Sequence, residues 1–172
     1  MLTLEQEKWV ASLSDRPIKI IPYNSRVEGL FEQVKEEIYN LLGQGVKVEH
    51  VGATSFGISG QDEIDISIVA DKEKFSQYIP KLETVFGPVQ SNYPDRARFE
   101  VKREDKKIDL KIIDINHQNY LAGKMFEEYL KNYPDELERY RVLKEESNGK
   151  TMREYYRRKI EFINEILIKT KL

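Results

Sequence analysis

Val51-Gly52-Ala53-Thr54-Ser55, a short gap, then Glu63-Ile64-Asp65-Ile66-Ser67-Ile68 is the stretch that decides the fold. Before the glycine, residues 46–51 alternate apolar with polar, which predicts a strand. After the gap, residues 63–70 predict a second strand. Its Ile64, Ile66 and Ile68 share one face, and Glu63, Asp65, Ser67 and Val69 share the other. Between the strands lies a loop with Gly52, Gly57 and Gly60. Small residues in such a turn let backbone N–H groups approach phosphate oxygens closely. Carboxylates on the following strand can hold a cation against the same oxygens. The candidate cleft is therefore residues 52–67.

Outward from this centre, strands and helices mix first and helices finish the chain. A short helix is predicted over residues 4–13, and Ile18-Lys19-Ile20-Ile21 reads as a strand stopped by Pro22. Asn24 or Ser25 can cap the next helix, whose Val27, Leu30, Phe31, Val34, Ile38, Leu41 and Leu42 form a 3.6-residue stripe ended by Gly43. Phe75, Tyr78, Ile79, Leu82, Val85 and Phe86 mark another helix, closed by Gly87-Pro88. Residues 98–102 and 107–114 read as a hairpin around Arg103-Glu104-Asp105-Lys106, which sets Asp109 opposite Glu100 on the polar face, where Asp109 either serves the cleft or pairs with Lys107 or Lys111. Beyond residue 118, Pro134 suits the start of one helix and Thr151 caps the last. No repeat, low-complexity tract or linker interrupts the chain. The expectation is one α/β domain over residues 1–172, with the helices from about 118 to 172 packed on the sheet or beside the cleft.

Composition narrows the chemistry. The 172 residues are 40% apolar and 34% charged, a globular mix with enough apolar content for a real core. No run approaches the roughly 20 apolar residues of a membrane helix, and the first residues lack a signal-peptide layout, so a cytoplasmic protein with no membrane partner is expected. The absence of cysteine excludes disulfides, thiolate catalysis and cysteine-based zinc sites. Two histidines, His50 and His117, cannot make a multi-histidine metal site, so any metal binds through oxygen, as Mg²⁺ or Mn²⁺ does. A net charge of −2 does not advertise nucleic-acid binding. Lys150, Arg153, Arg157, Arg158 and Lys159 read as a solvated helix face. His50 is placed to orient the glycine turn by a hydrogen bond. Tyr129, Tyr133, Tyr140, Tyr155 and Tyr156 read as helix packing.

The central stretch resembles the nucleotidyltransferase superfamily pattern of an apolar residue, Gly, Gly or Ser, a gap, two carboxylates two apart, and a third from a later strand. The chain is also similar to the GrpB family along most of its length. Ile20-Ile21-Pro22-Tyr23-Asn24 and Leu30-Phe31 match the family's I-V-P-Y-D segment and L-F helix. His50-Val51-Gly52-Ala53-Thr54-Ser55-Phe56-Gly57-Ile58 followed by Gln61-Asp62-Glu63-Ile64-Asp65-Ile66 matches H-[IV]-G-S-T-S-V-P-G-L and K-P-I-I-D-I. Phe126-Glu127-Glu128-Tyr129-Leu130-Lys131-Asn132-Tyr133-Pro134 follows F-R-D-Y-L-R-x-H-P, and Tyr155, Tyr156, Lys159, Phe162 and Ile163 match the last helix.

The resemblance implies a nucleotidyltransferase-like mixed sheet flanked by helices, with a helical C-terminal segment. It implies Asp65, with Glu63 or Asp109, as catalytic Mg²⁺ ligands, Asp65 and Asp109 converging near Gly52 from adjacent strands. Gly52, Ala53, Thr54 and Ser55 would contact a nucleotide's phosphates. Lys159 would reach phosphate, or pack its stem and keep its head wet. Three departures stand out. The proline before Gly57 is absent, the family lysine is Gln61, and Asp109-Leu110-Lys111 stands where relatives carry H-L-H. The acidic pair has two registers, Glu63 with Asp65 or Asp65 with Ser67. Three functions stay open: Mg²⁺-dependent transfer of a nucleoside monophosphate to an unknown acceptor, a non-catalytic nucleotide- or anion-binding module, and an interaction protein that kept the scaffold.

Overall fold

The computed structural model describes residues 1–171. In chain order the elements are α1 (Leu4–Ser12), α2 (Arg26–Leu42), β1 (Lys47–Val51), α3 (Gly52–Ser55), β2 (Glu63–Ala70), α4 (Phe75–Phe86), β3 (Ser91–Tyr93), β4 (Arg96–Arg103), β5 (Lys106–Asp114), α5 (Gln118–Asn132), α6 (Pro134–Glu145) and α7 (Met152–Lys169). They fall into two compact units. A sheet unit takes Tyr23–Ile58 and Asp62–Tyr120. A helical unit takes Met1–Pro22, Ser59–Gln61 and the chain from Leu121. The class is α/β, as the sequence predicts. No helix among the described residues is long and apolar enough to cross a membrane.

In the sheet unit the strand order is β1-β2-β5-β4-β3. β2 and β5 pair in parallel, and the other neighbours pair antiparallel. Alternation decides which face is buried. Ile64, Ile66 and Ile68 of β2, Ile108, Leu110 and Ile112 of β5, and Ala97 and Phe99 of β4 all point to one side and are buried. The apolar stripe of α2 (Val27, Leu30, Phe31, Val34, Ile38) and Phe75, Leu82 and Phe86 of α4 join them in one core. Burying each of these large side chains stabilises the fold by about 1.5–3 kcal/mol before entropy is counted. Gly43 ends α2 in the left-handed region at φ 95°, as expected of a glycine stop.

In the helical unit Ile18, Ile20 and Tyr155 form a small core with Leu143, Met152 and Tyr156 around it. Tyr140 stacks on Phe162 at 5.3 Å between ring centroids, and Phe126 meets Tyr140 edge-on at 5.4 Å. The tyrosines of this region pack, as expected. Tyr133 is exposed but stacks on Tyr129 at 4.2 Å.

Three local expectations are corrected. Residues 18–21 do not form a strand. Ile18 N donates to Lys150 O (2.9 Å), Ile20 N to the Asn148 side chain (2.9 Å) and Ile21 N to Gly60 O (2.9 Å). Hydrogen bonds spread over separate segments make isolated bridges, Pro17 with Thr151 and Ile21 with Gly60, rather than a ladder. Second, residues 52–55, expected as loop, close one helical turn. Third, the edge strand β3 was not expected. It is three residues long and too short to show a period.

α7 opens with a capping box. Glu154 N donates to Thr151 Oγ1 (3.2 Å), and Thr151 N donates to Glu154 Oε2 (2.9 Å). Replacing Thr151 by Ala removes the side-chain acceptor and should lower stability by about 1 kcal/mol, whereas Thr151→Ser should retain most of it. Urea denaturation followed by far-UV circular dichroism measures this, and equal midpoints for the two variants would count against the cap.

Candidate functional site

All the candidate residues except Lys159 lie in the sheet unit. β1 delivers the chain to the turn with Val51 opposite Asp65. The next residue, Gly52, takes φ +75°, a conformation that a residue with a Cβ adopts at a cost of about 1–2 kcal/mol. Space is the second constraint. A Cβ at Gly52 would lie 2.4 Å from Asp65 Oδ2 and 3.2 Å from Asp65 Cβ, so the carboxylate rests directly against the turn. Ala53 and Thr54 are buried. Thr54 Oγ1 and His50 Nε2 are 2.9 Å apart, and Ser55 Oγ donates to Gly52 O at 2.8 Å. Both hydroxyls are thus used inside the turn. The backbone N–H groups of this turn are those that the first turn of a helix leaves without intrahelical partners.

His50 orients this turn. Its ring stacks on Phe31 with 4.8 Å between centroids. Burial pushes its pKa below the ordinary histidine value, against the pull of Glu28, Asp65 and Glu32, so the neutral imidazole prevails at pH 7.

Register explains the charged face. One row across the sheet reads Val51, Asp65, Asp109, Glu100. The row on one side reads Glu49, Ser67, Lys111, Arg98, and the row on the other reads Glu63, Lys107, Lys102. Three carboxylates side by side would repel, and cations of the flanking rows reach diagonally between them. Lys111 Nζ stands 3.1 Å from Asp109 Oδ2 and 3.7 Å from Asp65 Oδ1. Arg98 Nε donates to Asp109 Oδ1 at 2.7 Å. Lys107 Nζ lies 3.2 Å from both Glu63 Oε2 and Glu100 Oε2.

Asp109 is buried, which works against its ionised form. Lys111 and Arg98 outweigh that and hold its carboxyl below the usual carboxylate range.

Asp65 and Asp109 therefore stand side by side at the glycine turn. Glu63 lies on the same face, held by Lys107, and Ser67 is buried in the next row beside Lys111. The neighbour that completes the acidic row is Glu100. Among the described residues, no three His, Asp or Glu side chains are grouped to share a metal ion. Both oxygens of Asp109 already have cationic partners, and Asp65 turns Oδ1 toward Lys111 while Oδ2 lies close against the Gly52 turn. Mg²⁺ is usually held by one or two carboxylates with waters completing its octahedron, and here the paired aspartates already face Lys111 and Arg98. Lys107 and Lys111 are readable from the sequence as alternative ion-pair partners of Asp109, and the structure gives Lys111 that place; neither they nor Arg98 and Glu100 were expected as site residues. The alternation Lys107-x-Asp109-x-Lys111 was the available signal, because a strand puts all three on one face. Lys159 belongs to α7, where its ammonium lies 5.5 Å from the Tyr156 ring centroid and 5.9 Å from that of Tyr155.

Two outcomes follow from this geometry. Gly52→Ala should destabilise the protein by more than about 1 kcal/mol, and the double variant Gly52→Ala/Asp65→Gly should recover the part due to the clash but not the part due to φ. A double-mutant cycle by urea denaturation gives both parts, and strict additivity would refute the contact. Asp109, with its folded-state pKa depressed, stabilises above the ordinary carboxylate value of 3.8, and this is lost as pH falls through the lower folded value. Asp109→Asn should therefore cost about 1.5–3 kcal/mol at pH 7, shrinking toward zero in strong acid. A gap between wild type and variant that stays constant from pH 7 to pH 3 would contradict the pairing.

Comparison with known proteins places these segments. A family model described as GrpB protein matches residues 17–169, taking in the Gly52 turn, the acidic strand and the last helix. No curated protein matches. Among solved structures the chain is similar to polymerase beta of Leishmania infantum in a ternary P/T complex, at 12% identity and a TM-score of 0.42. That similarity covers 74% of this chain and 63% of the polymerase, so the chain spans less than two thirds of its length. With the family match running through the turn, the charged face and the helical segment, the chain belongs to the GrpB family.

Proposed function

We propose that this chain is a nucleotide- or anion-binding module that uses the Gly52 turn and the charged face beside it. The observation that carries the reading is the Lys111 ammonium lodged between Asp65 and Asp109. A phosphoryl group near Asp65 needs a cation to offset that carboxylate. Lys111, with 40% of its side chain exposed, is a cation within reach of solvent and of both aspartates. The backbone N–H groups of residues 52–55 supply hydrogen bonds, and Gly52 lets them come close. Binding then draws on the protein's own charges.

A second reading is Mg²⁺-dependent transfer of a nucleoside monophosphate to an unknown acceptor. It is favoured by Asp65 standing beside Asp109 at a glycine turn, and it requires Lys111 to leave its present place.

A thermal-shift series with nucleoside triphosphates, in EDTA and in Mg²⁺, separates the two. A bound ligand at a hundredfold its dissociation constant stabilises by about 2.7 kcal/mol. The module reading expects a shift that survives EDTA and tolerates Asp65→Asn. A shift seen only with Mg²⁺ and abolished by Asp65→Asn, with pyrophosphate release once an acceptor is supplied, would favour the transferase. No shift under any condition would remove support from both.

A further inference from the structure

We infer that Lys111 takes the place of a divalent cation between Asp65 and Asp109, and that this one side chain keeps the charged face closed to metal. Its Nζ is within ion-pair distance of one oxygen from each aspartate, 3.7 Å for Asp65 and 3.1 Å for Asp109. This is the position from which a shared cation would neutralise both. Arg98 holds the remaining oxygen of Asp109 at 2.7 Å. Asp65, Asp109, Lys111 and Arg98 together carry no net charge, so a dication gains little attraction there to offset losing its water. It would also face repulsion from an ammonium a few ångströms away.

The register makes the arrangement specific. Lys111 stands one row over from Asp109 on the same face of β5, directly opposite Ser67, which brings no competing charge. Without the ammonium, Asp65 Oδ1 and Asp109 Oδ2 would lose the cation they share, and Arg98 would remain on the other oxygen of Asp109. One or two carboxylates completed by water is a donor set that Mg²⁺ and Mn²⁺ accept. Residue 111 therefore decides between a self-neutralised face and a metal-binding one, whether or not a nucleotide binds.

The test uses Mn²⁺ alone, so its outcome is independent of any nucleotide. Free Mn²⁺ is read from its electron paramagnetic resonance amplitude as the full chain is titrated. Wild type and Lys111→Arg should leave the amplitude as in buffer. Lys111→Met should bind Mn²⁺ roughly tenfold or more tighter than wild type, and Lys111→Met/Asp65→Asn should lose that gain. If Lys111→Met does not fold, Lys111→Gln keeps the length, removes the charge and is read the same way. The inference is overturned if wild type binds Mn²⁺ and loses it on Asp65→Asn, or if removing the Lys111 charge creates no binding.

Discussion

Everything at the candidate site hangs on the parallel pairing of β2 with β5. Beneath it, Ile64, Ile66 and Ile68 lock against Ile108, Leu110 and Ile112, all buried over α2 and α4. A slip of one residue would turn this apolar set outward and bury the charges instead, so the core permits one register. That register puts Asp65 beside Asp109 and Ser67 beside Lys111 on the opposite face. The core thus determines the charged surface without touching it.

On that surface, an acidic row lies between rows that carry its counter-charges. Carboxylates directly across neighbouring strands are unfavourable by themselves. Lys107, Lys111 and Arg98 convert the row into a network in which each acid has a basic partner. An exposed ion pair contributes little, but Asp109 is buried, and its ionised form depends on those partners. The same network that stabilises the sheet therefore sets what the site can attract.

The turn is tied to this face by contact rather than by charge. Asp65 rests against Gly52, where a methyl group would displace it. His50, held by Phe31, touches Thr54 and fixes the turn from behind. Thr54 and Ser55 matter to the candidate site as supports of the backbone, because their hydroxyls are already engaged.

Much of this was legible in the sequence. Strand period, helix stripes, the Gly43 stop, the Pro134 start and the Thr151 cap are short-range properties, and each appears where the residues predict it. The hairpin that sets Glu100 opposite Asp109 is equally local. The resemblance to the nucleotidyltransferase pattern brought Asp65 and Asp109 together in advance. Tertiary structure alone decided the rest. Residues 18–21 have the composition of a strand, yet their hydrogen-bond partners lie on separate segments and no ladder forms. Lys111 reads from the sequence as no more than a partner for Asp109 until β2 pairs with β5 and brings Asp65 within its reach as well. Periodicity tells which face a residue occupies, but only long-range burial of the apolar face tells which charges will share the other.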